Sequence, residues 1–269
     1  MTRSLLASLS APLSRTPDEC RPSRLLLGME WRAALEWVCV PWAMPWLLGT
    51  VPRGDGHAVM LLPGLLAGDR SASSLQRFLR SRGYDVHGWE QGPNVGPRDG
   101  LMERLQDKLG DLHETSGRKV SLIGHSLGGI FARELARAEP QRVRQVITLG
   151  SPLYGQPEAS TNAWALYCAV NRDPASHVHA RGDEAPPVPT TSIYSRYDGV
   201  VGWGCSVERQ GPFTDNIEIN SASHLGLAVN PLVWYAIGDR LAQPEDGWSH
   251  FAPRALNKYL FPFRAPRRE

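Results

Sequence analysis

Val120-Ser121-Leu122-Ile123-Gly124-His125-Ser126-Leu127-Gly128-Gly129 is the stretch whose reading decides the fold. An apolar run of strand length ends in Gly-x-Ser-x-Gly, and Ile130-Phe131-Ala132-Arg133-Glu134-Leu135-Ala136 follows at once with helical composition. A strand before the serine and a helix after it are the context in which this spacing carries chemistry. The turn between them is so tight that Ser126 must take a strained backbone. Gly124 and Gly128 flank it because a Cβ there would meet the neighbouring chain. The strain exposes the Ser126 hydroxyl, and the helix N-terminus aims free N–H groups at negative charge developing beside it.

Outward from that turn the pattern alternates. Upstream, Ala58-Val59-Met60-Leu61-Leu62 is continuously apolar, as in a strand buried on both faces. Asp69 is placed to cap the next helix, where Leu75, Phe78 and Leu79 form one stripe. Gly83 ends it, and Tyr84 to Trp89 reads as a strand. Leu101, Leu105, Leu109 and Leu112 share the face of a further helix closed by Gly117. Downstream, Val143 to Leu149 is another buried strand, and Thr190 to Ser195 resumes strand character. Ile217-Glu218-Ile219 alternates as a strand nearer the sheet edge, with Asp215 just before it. Asn230-Pro231 opens a last helix that buries Val233, Ile237 and Leu241. This alternation predicts an α/β fold, with a mostly parallel central sheet and helices on both faces.

The chain of 269 residues suits one large domain with a full core. Its net charge of +2 offers no footing for nucleic acid or a strongly acidic partner. Residues 1–28, rich in Ser, Pro and Arg, read as a disordered tail, with a start at Met29 as the alternative, and 29–269 as a single domain. The apolar cluster Leu5 to Leu9 is too short and broken for a signal peptide. A cytoplasmic location is therefore expected, with an exported or membrane-peripheral one as the alternative. Cys20, Cys39, Cys168 and Cys205 show no metal-ligand spacing, and any pairing stays open. Trp31 to Leu48 is rich in tryptophan, but Arg32, Glu36, Pro41 and Pro45 argue against a membrane span. Trp31, Leu35 and Val38 have helical spacing, which predicts a helix packed on the main fold. A lipid-surface contact through the same segment is the second reading.

The turn around Ser126 and its flanks resemble the serine-dependent α/β-hydrolase family, lipase and esterase branch. The resemblance covers about residues 57–241. It implies the α/β-hydrolase fold with a small cap at about 156–189, where the pattern breaks after Gly150-Ser151-Pro152-Leu153-Tyr154-Gly155. His177 and His179 fall there and read as exposed loop residues rather than a metal pair. By the resemblance Ser126 is the nucleophile, and the oxyanion donors are the backbone N–H groups of Leu65 and Leu127. Pro63 stands where the family usually carries histidine.

The family's chain order, nucleophile then acid then histidine, points to Asp198 and His224. Asp198 leaves a strand and precedes Gly199, whereas Asp173 and Asp183 fall in the cap and Asp215 before a strand. His224 lies in a loop after a strand; His57, His87, His113, His125 and His250 suit the role less well by position. In a parallel sheet Ser126, Asp198 and His224 would share the carboxyl edge. The activity implied is a serine carboxylic ester hydrolase, of carboxylesterase or lipase type. It would act through an acyl-serine on short- to medium-chain acyl esters, with no metal and no organic cofactor. Leu66, Leu153, Tyr154 and Trp203 are candidate acyl-pocket residues, each equally readable as core. An acyltransferase with an alcohol or amine acceptor, and a non-catalytic binding module, remain as alternatives.

Overall fold

The computed structural model describes residues 21–171, 185–220, 222–253 and 255–261. Residues 1–20 of the expected tail, and His177 and His179, lie outside the described residues. Helix α1 (Arg24–Gly28) comes first, then a 3-10 turn at Glu30–Arg32 and helix α2 (Ala33–Thr50). Residues 24–28 of the expected tail are therefore helical. Ser23 caps α1 by accepting from the Leu26 N–H, and the Asn162 amide anchors the segment through the Pro22 carbonyl at 3.1 Å.

Strand β1 (Ala58–Leu62) enters the sheet, followed by α3 (Ser73–Ser81), β2 (Asp85–His87) and α4 (Leu101–Ser116). Then come β3 (Val120–His125), α5 (Leu127–Ala138) and β4 (Val143–Leu149). Two short helices, α6 (Pro157–Ser160) and α7 (Trp164–Val170), occupy the segment where the alternation breaks. The chain then forms β5 (Thr190–Tyr194), α8 (Trp203–Ser206), β6 (Thr214–Glu218) and α9 (Pro231–Leu241). Among the described residues six strands form one sheet, all parallel, in the order β2-β1-β3-β4-β5-β6. Asp215 lies inside β6 rather than before it.

Because side chains alternate along a strand, the sheet feeds two cores. Val59, Leu61, Ile123, Ile147, Ile193 and Ile217 pack on one face with residues of α2, α3 and α9. Met60, Leu62, Leu122 and Val146 pack on the other with α4 and α5. Helices thus cover both faces. Asn230 caps α9 by accepting from the Leu232 N–H, with Pro231 in the first turn. Asp69 does not cap α3. Its carboxylate instead accepts from the Trp89 and Glu90 N–H groups, which fixes the loop after β2.

Helix α2 departs further from expectation, because it runs through both prolines. Pro41 and Pro45 sit on its exposed side, so the carbonyls that lose their donors tilt toward water. Its packed side is Val40 and Leu47 with Ala43, Met44 and Trp46, and Trp46 stacks on Tyr235 at 5.4 Å. The expected stripe is real but faces outward: Trp31 is 66% exposed, Leu35 55% and Val38 56%. Among the described residues no helix is long and apolar enough to cross a membrane.

Candidate active site

The strand order reverses between β1 and β3, the point where parallel sheets open a crevice at their carboxyl ends. Ser126 sits there, between β3 and α5, with φ 51 and ψ −119. That left-handed φ is costly for a residue with a side chain. Its N–H is tied to the Leu149 carbonyl at 2.8 Å, so the sheet itself holds the strain. The flanking glycines are required by contact. A Cβ on Gly128 would lie 2.2 Å from the Leu62 carbonyl oxygen, and one on Gly124 2.4 Å from that of Gly128.

The loop after β1 meets this turn. A Cβ on Gly64 would be 3.3 Å from the Ser126 Cβ, so Leu65 follows directly beside the serine. Asn94, fully buried, shapes the loop from below: its side chain donates to the Pro63 carbonyl at 2.7 Å and its carbonyl accepts from Leu66 at 2.6 Å. Leu66 is held at φ 59 as a result. Among the described residues neither the Leu65 nor the Leu127 N–H has a hydrogen-bond acceptor. Both N–H groups are therefore available to an incoming oxygen.

Asp198 follows β5 and His224 follows β6. The His224 Nδ1 lies 2.6 Å from Asp198 Oδ2, and both side chains are buried. Oδ1 of the same carboxylate accepts from the Val200 and Val201 N–H groups at 2.8 and 2.7 Å. Burial pulls the His224 pKa down, but Asp198, and then Glu30, outweigh it and hold the imidazole above its ordinary value. With Nδ1 engaged, Nε2 is the nitrogen left to exchange a proton. The His125 ring, next to Ser126, lies 5.0 Å from the His224 ring and donates through Nε2 to the His224 carbonyl at 2.9 Å. Burial and the neighbouring His224 depress its pKa to about 3, so it stays a neutral strut between the turn and the histidine loop.

A second Asp–His–Ser chain exists at the opposite end of the sheet. Asp55 contacts His57 Nδ1 at 2.5 Å, and His57 Nε2 lies 2.8 Å from the Ser121 hydroxyl. His57 and Ser121 are fully buried, and Arg144 and Arg118 bind the same carboxylate. A hydroxyl sealed inside β3 meets no substrate, so this chain braces the core.

The candidate pocket residues divide. Leu66 is half exposed in the loop after β1, whereas Leu153 is buried, with its N–H on the Cys205 carbonyl. Tyr154 donates its hydroxyl to Glu208, which also pairs with Arg133 in a buried cluster. Trp203 lies under the Arg196 guanidinium at 4.1 Å. Cys39 and Cys168 are free thiols. No group of three or more metal-ligating side chains occurs among the described residues.

Glu30 and Glu36 are the residues that pattern reading missed. Both come from the segment before the sheet, yet they bind the loops that carry Asp198 and His224. The available signal was chemical: an acid inside an apolar, tryptophan-rich helix needs a buried partner.

The sheet order, the strained serine turn and helices on both faces define the α/β-hydrolase fold, and the chain is similar to the lipase and esterase branch of that superfamily. More particularly, residues 101–202 match the PGAP1-like alpha/beta domain family. The chain is 34% identical over 112 residues to a triacylglycerol lipase of Pseudarthrobacter phenanthrenivorans, covering 37% of this chain and 34% of that protein. It is also 34% identical over 112 residues to one of Burkholderia plantarii, covering 37% and 30%. The match thus spans about a third of the length of these curated relatives. Aspergillus fumigatus lipase B shares the fold with a TM-score of 0.56 at 18% identity, covering 71% of this chain and 53% of that one.

Proposed function

We propose that the chain is a serine carboxylic ester hydrolase working through an acyl-Ser126 intermediate. The observation that carries it is the buried 2.6 Å contact between Asp198 and His224, in loops at the same carboxyl edge of the sheet as a serine held at positive φ. Ser126 Oγ attacks the ester carbonyl while His224 Nε2 accepts its proton, and Asp198 stabilises the resulting imidazolium. The N–H groups of Leu65 and Leu127 bind the oxyanion, a contribution of a few kcal/mol per donor at the transition state. Nε2–H then protonates the leaving alkoxide, and a water activated by the same nitrogen releases the acid. Short- to medium-chain acyl esters fit this reading, because the helices in the described part of the cap, α6 and α7, are only 4 and 7 residues long.

A fluorophosphonate should label the wild-type chain and leave Ser126→Ala unlabelled. A p-nitrophenyl ester series should peak at short or medium acyl length. Equal labelling of Ser126→Ala would sink the assignment.

A lipid surface is the contact we propose for the outward side of α2. Trp42 is 85% exposed, on a stretch with no charged residue from Trp37 to Pro52, and Trp31, in the 3-10 turn just before the helix, is 66% exposed. Exposed tryptophan beside leucine is the composition that settles at a membrane–water boundary.

A further inference from the structure

We propose that Glu30 is a positioning residue for the Asp198–His224 pair, its carboxylate stapling the loop of the acid to the loop of the base. This rests on the reading of Ser126, Asp198 and His224 given above. Oε1 accepts from the Gly199 N–H at 2.8 Å and from the His224 N–H at 3.0 Å, and Oε2 accepts from the Leu225 N–H at 3.0 Å. Gly199 directly follows the acid; the other two amides belong to the base and its neighbour. One side chain, 7% exposed, therefore sets the distance between two loops that leave different strands.

The surrounding segment reinforces the staple. Glu36 accepts from the Ser223 N–H at 2.8 Å, the Ser223 hydroxyl at 2.7 Å and the Asn230 side chain at 2.8 Å. Arg32 donates to the Tyr197 carbonyl and, at 3.5 Å, to that of Ala222. A Cβ on Gly199 would lie 2.4 Å from the Leu26 carbonyl oxygen, so the acid loop lies flush against α1.

The physical need is plain. Hydrogen bonds to an ionised acceptor are stronger than neutral ones, and proton transfer requires the base held to a fraction of an ångström. Neither loop has strand partners at residues 198–199 or 224–225 to hold it. The Glu30 carboxylate does so, and its charge also favours the imidazolium that forms when Ser126 attacks. Glu30 touches no reacting atom, so its action is exerted through His224 and Asp198.

Glu30→Gln tests this on a soluble p-nitrophenyl ester with the full chain. Expected is a kcat about 10- to 100-fold lower, with KM little changed and the acidic limb of kcat/KM moved to lower pH. Glu30→Asp, which keeps the charge one methylene short, should return the limb to its wild-type position with only part of kcat. Asp111→Asn, the same acid-to-amide change at an exposed position on α4, should behave as wild type. A Glu30→Gln enzyme with wild-type kcat and pH profile overturns the proposal. If that variant does not fold, hydrogen exchange on the wild-type chain decides: the amides of Gly199, His224 and Leu225 must exchange slowly, and free exchange overturns the proposal. Fluorophosphonate labelling of the wild type separates the two claims. An unlabelled wild type defeats the serine mechanism, whereas a labelled one with an indifferent Glu30→Gln defeats the staple alone.

Discussion

The carboxylate of Asp198 divides its two oxygens between tasks, one on Nδ1 of His224 at 2.6 Å and one on the backbone of its own loop. Asp198→Asn preserves the size of the side chain but removes the charge that orients the ring. It is expected to lower kcat by about 10³- to 10⁴-fold, with little change in melting temperature. A variant within tenfold of wild type would remove Asp198 from the mechanism.

The histidines give activity and stability different pH optima. His224 is held above its ordinary pKa, so the folded state keeps its proton longer than the unfolded chain. Its stabilisation is present below the unfolded value of about 6.5 and fades as pH rises through the folded value. His125 and His57 are depressed, chiefly by burial, so their contribution is complete above that same value and is lost as pH falls. The melting temperature should therefore be highest near pH ~6.5 as far as histidines govern it. Ester hydrolysis requires neutral His224 and should climb further on the alkaline side. Thermal scans and kcat/KM across pH 5 to 9 would check this; coincident maxima would contradict it.

Ser121 offers a control that shares the residue types of the active site but not its access. Ser121→Ala removes the hydrogen bond to the buried Nε2 of His57. A loss of about 1–3 kcal/mol in unfolding free energy is expected, read by urea denaturation. Hydrolysis and fluorophosphonate labelling should stay at wild-type levels, and a loss of either would mean that the second chain takes part in chemistry.

For the lipid contact, point substitution is the informative probe, because truncation would also remove Glu30 and Glu36. The double variant Trp31→Ser, Trp42→Ser should lose co-sedimentation with phosphatidylcholine vesicles while hydrolysing a soluble ester normally. Undiminished vesicle binding would exclude this face.

What could be read in advance was whatever depends on neighbours in sequence. The Gly124 to Gly128 spacing, the apolar run of Val143 to Leu149 and the Asn230-Pro231 helix start each carry their reason within a few residues. Chain order brought Asp198 and His224 forward, and the structure sets them 2.6 Å apart. Helix α2 shows where such reading stops. Periodicity in Trp31, Leu35 and Val38 marks one face of a helix but not which face is covered, and the covered one is Val40 and Leu47. Asp69 looked like a helix cap because it precedes one, yet its acceptors are taken by amides twenty residues away. Glu30 and Glu36 were invisible for the same reason, since their partners are set by tertiary closure alone.

The staple at Glu30 spans 194 positions to His224. The first part of the described chain to leave a ribosome must therefore wait for nearly the last before its carboxylate finds its amides. Closing so large a loop is slow relative to local contacts. The sheet can assemble around its own hydrogen bonds beforehand, so catalytic competence would arrive as a late and separable event in the life of each molecule.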